Sequence, residues 1–280
     1  MTTATDTPPA ILAELDQPFD LKPQTIDRFR KYGYAKIPGV LSPQLLQHFR
    51  KPINDVVHAN NKLAGVPMEQ RDTYAKAFIQ VINLWEKQDE VRKLTLSKRL
   101  GQIAAQLLEV QGVRLYHDQA LYKEPSGGIT PWHVDQYYWP LATDRTVTAW
   151  IPLVEVPIEM GPLTFAAGSQ QLDFGRDQAI SDDSEKLLRD KIEAEAFPIE
   201  ASAFALGEVS FHLGWLAHRA GPNRSNNARD VMTIIYMDRD MKLAEPKNDN
   251  QINDRDAFCP NTQPGQIINT PKNPIIYEPA

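Results

Sequence analysis

His133 and Asp135 stand one residue apart in the run Pro131-Trp132-His133-Val134-Asp135-Gln136. On a strand, whose side-chain repeat is two residues, both would point to the same face. An imidazole and a carboxylate aimed at one point, joined by a second imidazole from elsewhere, make the facial ligand set that holds iron(II) and leaves coordination positions open. A His-x-Asp alone arises by chance in many chains, where a surface turn or a hydrogen-bonded pair explains it. The remaining residues must decide.

The second imidazole is sought between Gly207 and Arg229. This segment reads as a strand, a break at Gly214, and a second strand ending near Ala220. A loop rich in Gly221, Pro222, Asn223, Ser225, Asn226 and Asn227 follows, then a strand from Arg229 to Met237. A hairpin whose loop spans 221–226 sets His218 opposite Arg229 and His212 opposite Ile235. That pairing favours His218 as the second ligand, with His212 as the alternative. Metal and guanidinium could then hold the two ends of a keto dicarboxylate, the far carboxylate taking two parallel charge-assisted hydrogen bonds. The competing readings are an interior His satisfied by a carbonyl and an Arg229 in a surface ion pair. Arg219 and Arg224 read as solvated loop charges.

Other elements must bring these groups together. Strands dominate from Val113 to Met237, interrupted by the charged segment Gln170–Glu195, whose Ser184–Glu193 stretch looks helical. That insertion is either a substrate lid or a solvated loop. Along Val113–Lys123, alternation puts His117, Gln119, Leu121 and Lys123 on one face. This face either lines a cavity or meets solvent, with Tyr116, Ala120 and Tyr122 then in the core. Trp150 sits in an apolar run as a core residue or a pocket wall. Upstream, Pro23–Tyr32 reads as a helix stopped by Gly33. Ser42-Pro43 reads as an N-cap with proline at the first helical position of a helix that Pro52 kinks or breaks. His48 and His58 read as exposed helix residues. Residues 1–20 read as loosely ordered, 23–110 as mostly helical support, and 242–280 as coil wrapping the core.

Five stretches in order resemble the phytanoyl-CoA dioxygenase family of iron(II)- and 2-oxoglutarate-dependent oxygenases. They are Leu121–Pro125, Pro131–Gln136, Thr148–Leu153, Gly161–Ser169 and Gly207–Arg229, and Phe29–Tyr34 with Ile37–Ser42 is similar to the family's usual start. The resemblance implies one domain, mainly β with flanking helices, built on a double-stranded β-helix (jelly-roll, cupin-like) core. It implies iron held by His133, Asp135 and His218, Arg229 on the distal carboxylate of 2-oxoglutarate, and Lys123 and Trp150 in the cosubstrate pocket, with Gln119 beside Lys123. Two positions depart from the family pattern. Val134 stands where Gln is frequent, and Arg219-Ala220 stands where Gly-Ser is frequent, which removes a hydroxyl contact to the cosubstrate. Related halogenating enzymes carry a small residue in place of the carboxylate, so Asp135 implies oxygen insertion by O2 rather than chlorination.

The chain has 280 residues, 42% hydrophobic and 24% charged, which suits a soluble globular protein. Its net charge of −6 argues against nucleic acid as a main partner. The single cysteine, Cys259, excludes an internal disulfide and a multi-cysteine zinc site, and fits a reducing compartment. Neither a secretory leader nor a membrane span is expected, which makes the expected location cytoplasmic. The expectation is a monomeric or weakly dimeric dioxygenase hydroxylating a small-molecule metabolite with release of succinate and CO2. The alternatives are a cupin-like metal-dependent isomerase or hydrolase, which needs no Arg229, and a non-catalytic binding protein, which needs none of the four residues.

Overall fold

Local chemistry starts and stops the first helices where the sequence places them. The computed structural model describes residues 9–279. After the short α1 (Pro9–Leu12), α2 (Pro23–Tyr32) ends at Gly33, whose φ of 79° is the left-handed conformation that glycine adopts without strain. Ser42 caps α3 (Pro43–Ala59) by accepting from the Leu45 amide at 3.3 Å. The helix runs through Pro52 without a break. Leu45, Leu46, Phe49 and Ile53 make its buried stripe. α4 (Thr73–Ala77), α5 (Asp89–Thr95) and α6 (Lys98–Leu108) complete the N-terminal helical layer, and α7 (Asp182–Ala194) and α8 (Asp249–Phe258) come later. No helix among the described residues is long and apolar enough to cross a membrane.

The strands are β1 (Tyr34–Ile37), β2 (Ile79–Ile82), β3 (Val113–Tyr122), β4 (Thr130–His133), β5 (Thr146–Pro152) and β6 (Leu163–Ala166). They continue with β7 (Ile199–Ala201), β8 (Val209–Leu213), β9 (His218–Ala220), β10 (Val231–Asp238) and β11 (Ile275–Tyr277). One antiparallel sheet has the order β1-β8-β5-β10-β3-β11, with β2 also on β3, and a smaller one has the order β4-β9-β6-β7. This is the double-stranded β-helix core with flanking helices. One face of the larger sheet packs Leu115, Ala149, Phe211 and Ile234 against α3 and α6 in the main apolar core. Its other face and the smaller sheet enclose the cavity described below.

A β-bulge aims the cavity wall. Leu115 pairs with Tyr236 and His117 with Ile235, so Tyr116 is the extra residue on β3. Leu115 before the bulge and Ala120 and Tyr122 after it all reach the helix-side core, while His117, Gln119 and Leu121 turn to the cavity. The alternation read from the sequence therefore resolves inward, and its partner residues are buried too.

Several expectations are corrected. The segment 242–279 is not only coil: it carries α8 and β11. α8 has no apolar stripe and escapes a search for helical periodicity. Residues 9–16 form α1 and a 3-10 turn with Leu15 buried, rather than loose chain, and residues 1–8 lie outside the described residues. The 23–110 layer also contributes β1 and β2 to the large sheet. His48 is half-buried and meets Glu90 at 2.6 Å, whereas His58 is exposed. No β9–β10 hairpin forms: β9 pairs with β4 and β6 in the small sheet, and β10 with β3 and β5 in the large one.

Candidate active site

β4 ends at His133, so Asp135 is not on the strand. Val134 keeps extended backbone, with φ −125° and ψ 127°, and Asp135 opens a 3-10 turn. The two-residue repeat survives that one step and both side chains enter the cavity. Val134 points the other way, into a cluster with Trp132, Leu188, Ile192 and Ala217 that seats α7 on the small sheet. His133 and His218 are direct partners across β4 and β9.

One ligand atom from each of His133, Asp135 and His218 lies within 4.8 Å of the other two. Each histidine Nε2 is 3.6 Å from Asp135 Oδ1. His133 Nδ1 meets the Pro131 carbonyl at 2.7 Å and His218 Nδ1 the Leu216 carbonyl at 2.9 Å. A carbonyl can only accept, so each Nδ1 carries the proton and each Nε2 keeps its lone pair toward the centre. Burial and the neighbouring His133 depress the His218 pKa well below the ordinary value. Burial opposes ionisation of Asp135, but His218, His133 and His212 outweigh it and hold its pKa well below the usual carboxylate range. Two neutral imidazoles and a carboxylate converging in a buried cavity fit a divalent transition metal with open positions.

Asp135 is held from behind. Thr148 and His212 are direct partners across β5 and β8. Thr148 Oγ1 and His212 Nε2 each lie 3.3 Å from Asp135 Oδ2. His212 thus reaches the carboxylate rather than sitting opposite Ile235, and its buried Nδ1 has no hydrogen-bond partner among the described residues. The sequence reading saw His212 only as a rival ligand and missed Thr148. Its signal was available: Thr148 is two residues before Trp150, on the same face of a strand.

The cavity, about 270 Å³, has a buried basic floor. Arg229 is 2% exposed and lines it beside Trp150, whose ring centroid is 5.5 Å from the guanidinium carbon. Arg229 Nη1 donates to the Gly161 carbonyl, and its buried Nε has no hydrogen-bond partner among the described residues. Lys123, wholly buried, pairs with Arg229 through two backbone hydrogen bonds. Its Nζ donates to the Gly128 carbonyl and lies 3.3 Å from Thr130 Oγ1, and Thr130 lines the cavity while Lys123 stands behind it. Burial, then the Arg229 charge, lowers the Lys123 pKa to about 6. Burial lowers that of Arg229 to about 10. Neither side chain forms an ion pair with a carboxylate among the described residues, and the charged Arg229 makes the floor suit an anion.

The remaining candidates sort by position. Gln119 lines the cavity toward the mouth, accepting from Gln80 Nε2 at 2.6 Å, while Gln80 Oε1 accepts from Tyr74. Arg219 pairs with Glu185 at 2.9 Å, and Glu185 also accepts from the Trp132 amide at 2.8 Å. These contacts anchor the insertion, and its Ile180 reaches the cavity wall. Arg224 is exposed. Asp254 and Phe258 of α8 complete the wall, and nothing in the sequence pattern pointed to them.

Comparison with known proteins agrees with this geometry. A protein of Stutzerimonas stutzeri named probable alpha-ketoglutarate-dependent hypophosphite dioxygenase is 22% identical over 73% of this chain and 74% of its own length. The solved non-heme alpha ketoglutarate dependent carbocyclase SnoK superposes with a TM-score of 0.76 at 26% identity, covering 93% of this chain and all of that one. The epimerase SnoN, solved with Fe3+, alpha ketoglutarate and nogalamycin RO, has a TM-score of 0.74 at 22% identity, covering 96% of this chain and 100% of its own. The family Phytanoyl-CoA dioxygenase (PhyH) matches residues 29–231, a span that holds the His133, Asp135 and His218 cluster and the buried Arg229, and the chain belongs to that family.

Proposed function

We propose that this chain is an iron(II)- and 2-oxoglutarate-dependent dioxygenase that hydroxylates a small molecule, with succinate and CO2 as co-products. The observation that carries the reading is the buried Arg229, without a carboxylate partner among the described residues, on the same cavity as the His133, Asp135 and His218 cluster, with Lys123 buried behind it. A metal-dependent isomerase or hydrolase that does not use 2-oxoglutarate has no use for such a floor. The names of the relatives, which specify alpha ketoglutarate, point the same way.

In this reading His133 Nε2, His218 Nε2 and an Asp135 oxygen hold iron(II). His212 and Thr148 fix the Asp135 carboxylate so that its Oδ1 faces both histidines. Arg229 takes the distal carboxylate of 2-oxoglutarate, and Trp150 forms the wall beneath it. Lys123 stands behind Thr130, where a bound anion would favour its protonated form. When bound, iron and 2-oxoglutarate supply the oxidising chemistry by consuming O2. The protein orients the substrate carbon and excludes water, and no general acid/base pair is required. Asp135 fills the position that chloride would need, which favours oxygen insertion.

The test is succinate formation from 2-oxoglutarate under air, with ferrous iron, with and without candidate substrates, and mass analysis of any product. Succinate production abolished in Arg229→Ala supports the reading. Turnover of a substrate without 2-oxoglutarate, unchanged in Arg229→Ala, would replace it with the isomerase or hydrolase alternative. A rearranged or ring-closed product would keep the cosubstrate chemistry and remove hydroxylation.

A further inference from the structure

The cavity has two ends of opposite character. Arg229 and Trp150, each 2% exposed, form the floor, while Tyr74 and Ile82, 38% and 39% exposed, mark the mouth. Between mouth and metal cluster the walls are Phe78, Tyr138, Trp139 and Phe258, with His117 stacked on Phe258 at 4.2 Å between ring centroids. Among the described residues, Arg229 is the only Lys or Arg on the cavity surface, and it lies at the floor. The acid of the outer half is Asp254, one helical turn before Phe258 on α8.

Asp254 has no ion-pair partner among the described residues, and its one hydrogen bond there is from the Tyr116 hydroxyl at 3.3 Å. Burial pushes its carboxyl up to about 7. Burial also pushes the Tyr138 hydroxyl up to about 12, with Asp135 and Asp254 both adding to the shift. Tyr74 likewise feels both carboxylates. Asp135 and Asp254 line the same cavity as these two tyrosines. His117 Nδ1 faces the Asp118 carbonyl at 3.4 Å, which leaves Nε2 as an acceptor rather than a donor. Acceptors, π faces and an unpaired carboxylate attract a cation and repel an anion.

We propose that the substrate is an amine, presented as a protonated ammonium on an apolar body, with Asp254 as the counter-ion that selects it. This rests on the reading of the cavity as the active site. An ammonium seated on Asp254 leaves its apolar body between the aromatic walls, directed toward Asp135 and the metal cluster. An acidic substrate of the same shape meets an uncompensated carboxylate in a desolvated site and is excluded.

The test uses a pair with the same phenethyl scaffold and opposite charge, 2-phenylethylamine and 3-phenylpropanoate. Binding is read by saturation-transfer NMR on zinc-loaded protein, which cannot turn over, with saturating 2-oxoglutarate to occupy the floor. The 2-oxoglutarate resonances in the same spectra report separately on the cosubstrate reading. The expected result is saturable transfer to the amine and little to the acid, with the apparent Kd for the amine raised at least about tenfold in Asp254→Asn. Retained 2-oxoglutarate transfer in that variant shows that it is folded. Equal transfer to amine and acid, an amine signal unchanged in Asp254→Asn, or no amine binding while 2-oxoglutarate binds overturns the proposal alone. Loss of the 2-oxoglutarate signal from the unsubstituted protein overturns the cosubstrate reading instead.

Discussion

Lys123 and Arg229 are locked together by their backbones, Lys123 N to Arg229 O at 3.1 Å and Arg229 N to Lys123 O at 2.9 Å. Paired residues in an antiparallel bridge project to the same side, so Lys123 sits beside the buried Arg229 charge without a carboxylate among the described residues, and burial and that charge disfavour its protonated form. Such an arrangement is unfavourable in the empty protein and favourable once an anion arrives. Binding and stability should therefore respond in opposite directions when either charge is removed.

For Arg229→Met, the account expects loss of 2-oxoglutarate affinity of at least about a hundredfold, as for a desolvated charge partner. The melting temperature of the ligand-free variant should equal or exceed that of the parent. Calorimetric titration and thermal melts check both. Arg229→Lys should not restore affinity, because an ammonium cannot form the two parallel hydrogen bonds of a guanidinium.

Lys123 adds a pH dependence with a defined sign. Its folded pKa is lowered to about 6 from the ordinary 10.5. Between those values the unfolded chain holds a proton that the folded chain does not, so this group makes the ligand-free protein more stable as pH rises. Lys123→Met should stabilise the empty protein by an amount on the order of 1–4 kcal/mol near pH 6.5. That gain should shrink toward pH 9. Melts across this range check it; a gain that grows with pH contradicts it.

His212 tests whether Asp135 needs its rear support. Replacement by Phe keeps a buried ring and removes the contact to Asp135 Oδ2. Iron(II) affinity is expected to fall about 10- to 100-fold, the usual effect of losing an outer hydrogen bond to a ligand. The fold should persist, because the variant also removes the unpartnered Nδ1. Metal titration with parallel circular dichroism separates the two effects.

Gly161 carries the carbonyl that Arg229 Nη1 meets, at a φ of 68°, and a Cβ there would stand 2.2 Å from the Gly221 carbonyl oxygen. Gly161→Ala should destabilise by on the order of 2–4 kcal/mol through combined backbone strain and collision. It should also weaken 2-oxoglutarate binding. Denaturant melts and cosubstrate titration check the pair.

Legibility in the sequence followed the kind of signal. His133 and Asp135 could be read because a two-residue repeat persists through Val134 even after β4 has ended. The inward face of β3 was readable up to its orientation; the bulge at Tyr116, which buries residues on both sides, leaves no mark in composition. The pairing argument for His218 failed in its geometry. A loop rich in Gly, Pro and Asn looks like a hairpin turn, but residues 221–230 cross from one sheet to the other. Arg229 instead meets the cavity as the partner of Lys123, while His218 stands opposite His133. α8 was invisible because its polar residues surround it, and with it went Asp254. Thr148 and His212 became linked only through strand register, which one sequence does not display.

The central claim is that one cavity binds iron(II) through His133, Asp135 and His218 and 2-oxoglutarate through Arg229. The most direct measurement is an anaerobic ultraviolet-visible titration of metal-free protein with ferrous iron, then 2-oxoglutarate. The account predicts a weak visible charge-transfer band that forms only with both present, is absent in His133→Ala, and is lost or greatly reduced in Arg229→Ala. Iron bound without any band on addition of 2-oxoglutarate, or a band of full strength in Arg229→Ala, would contradict it.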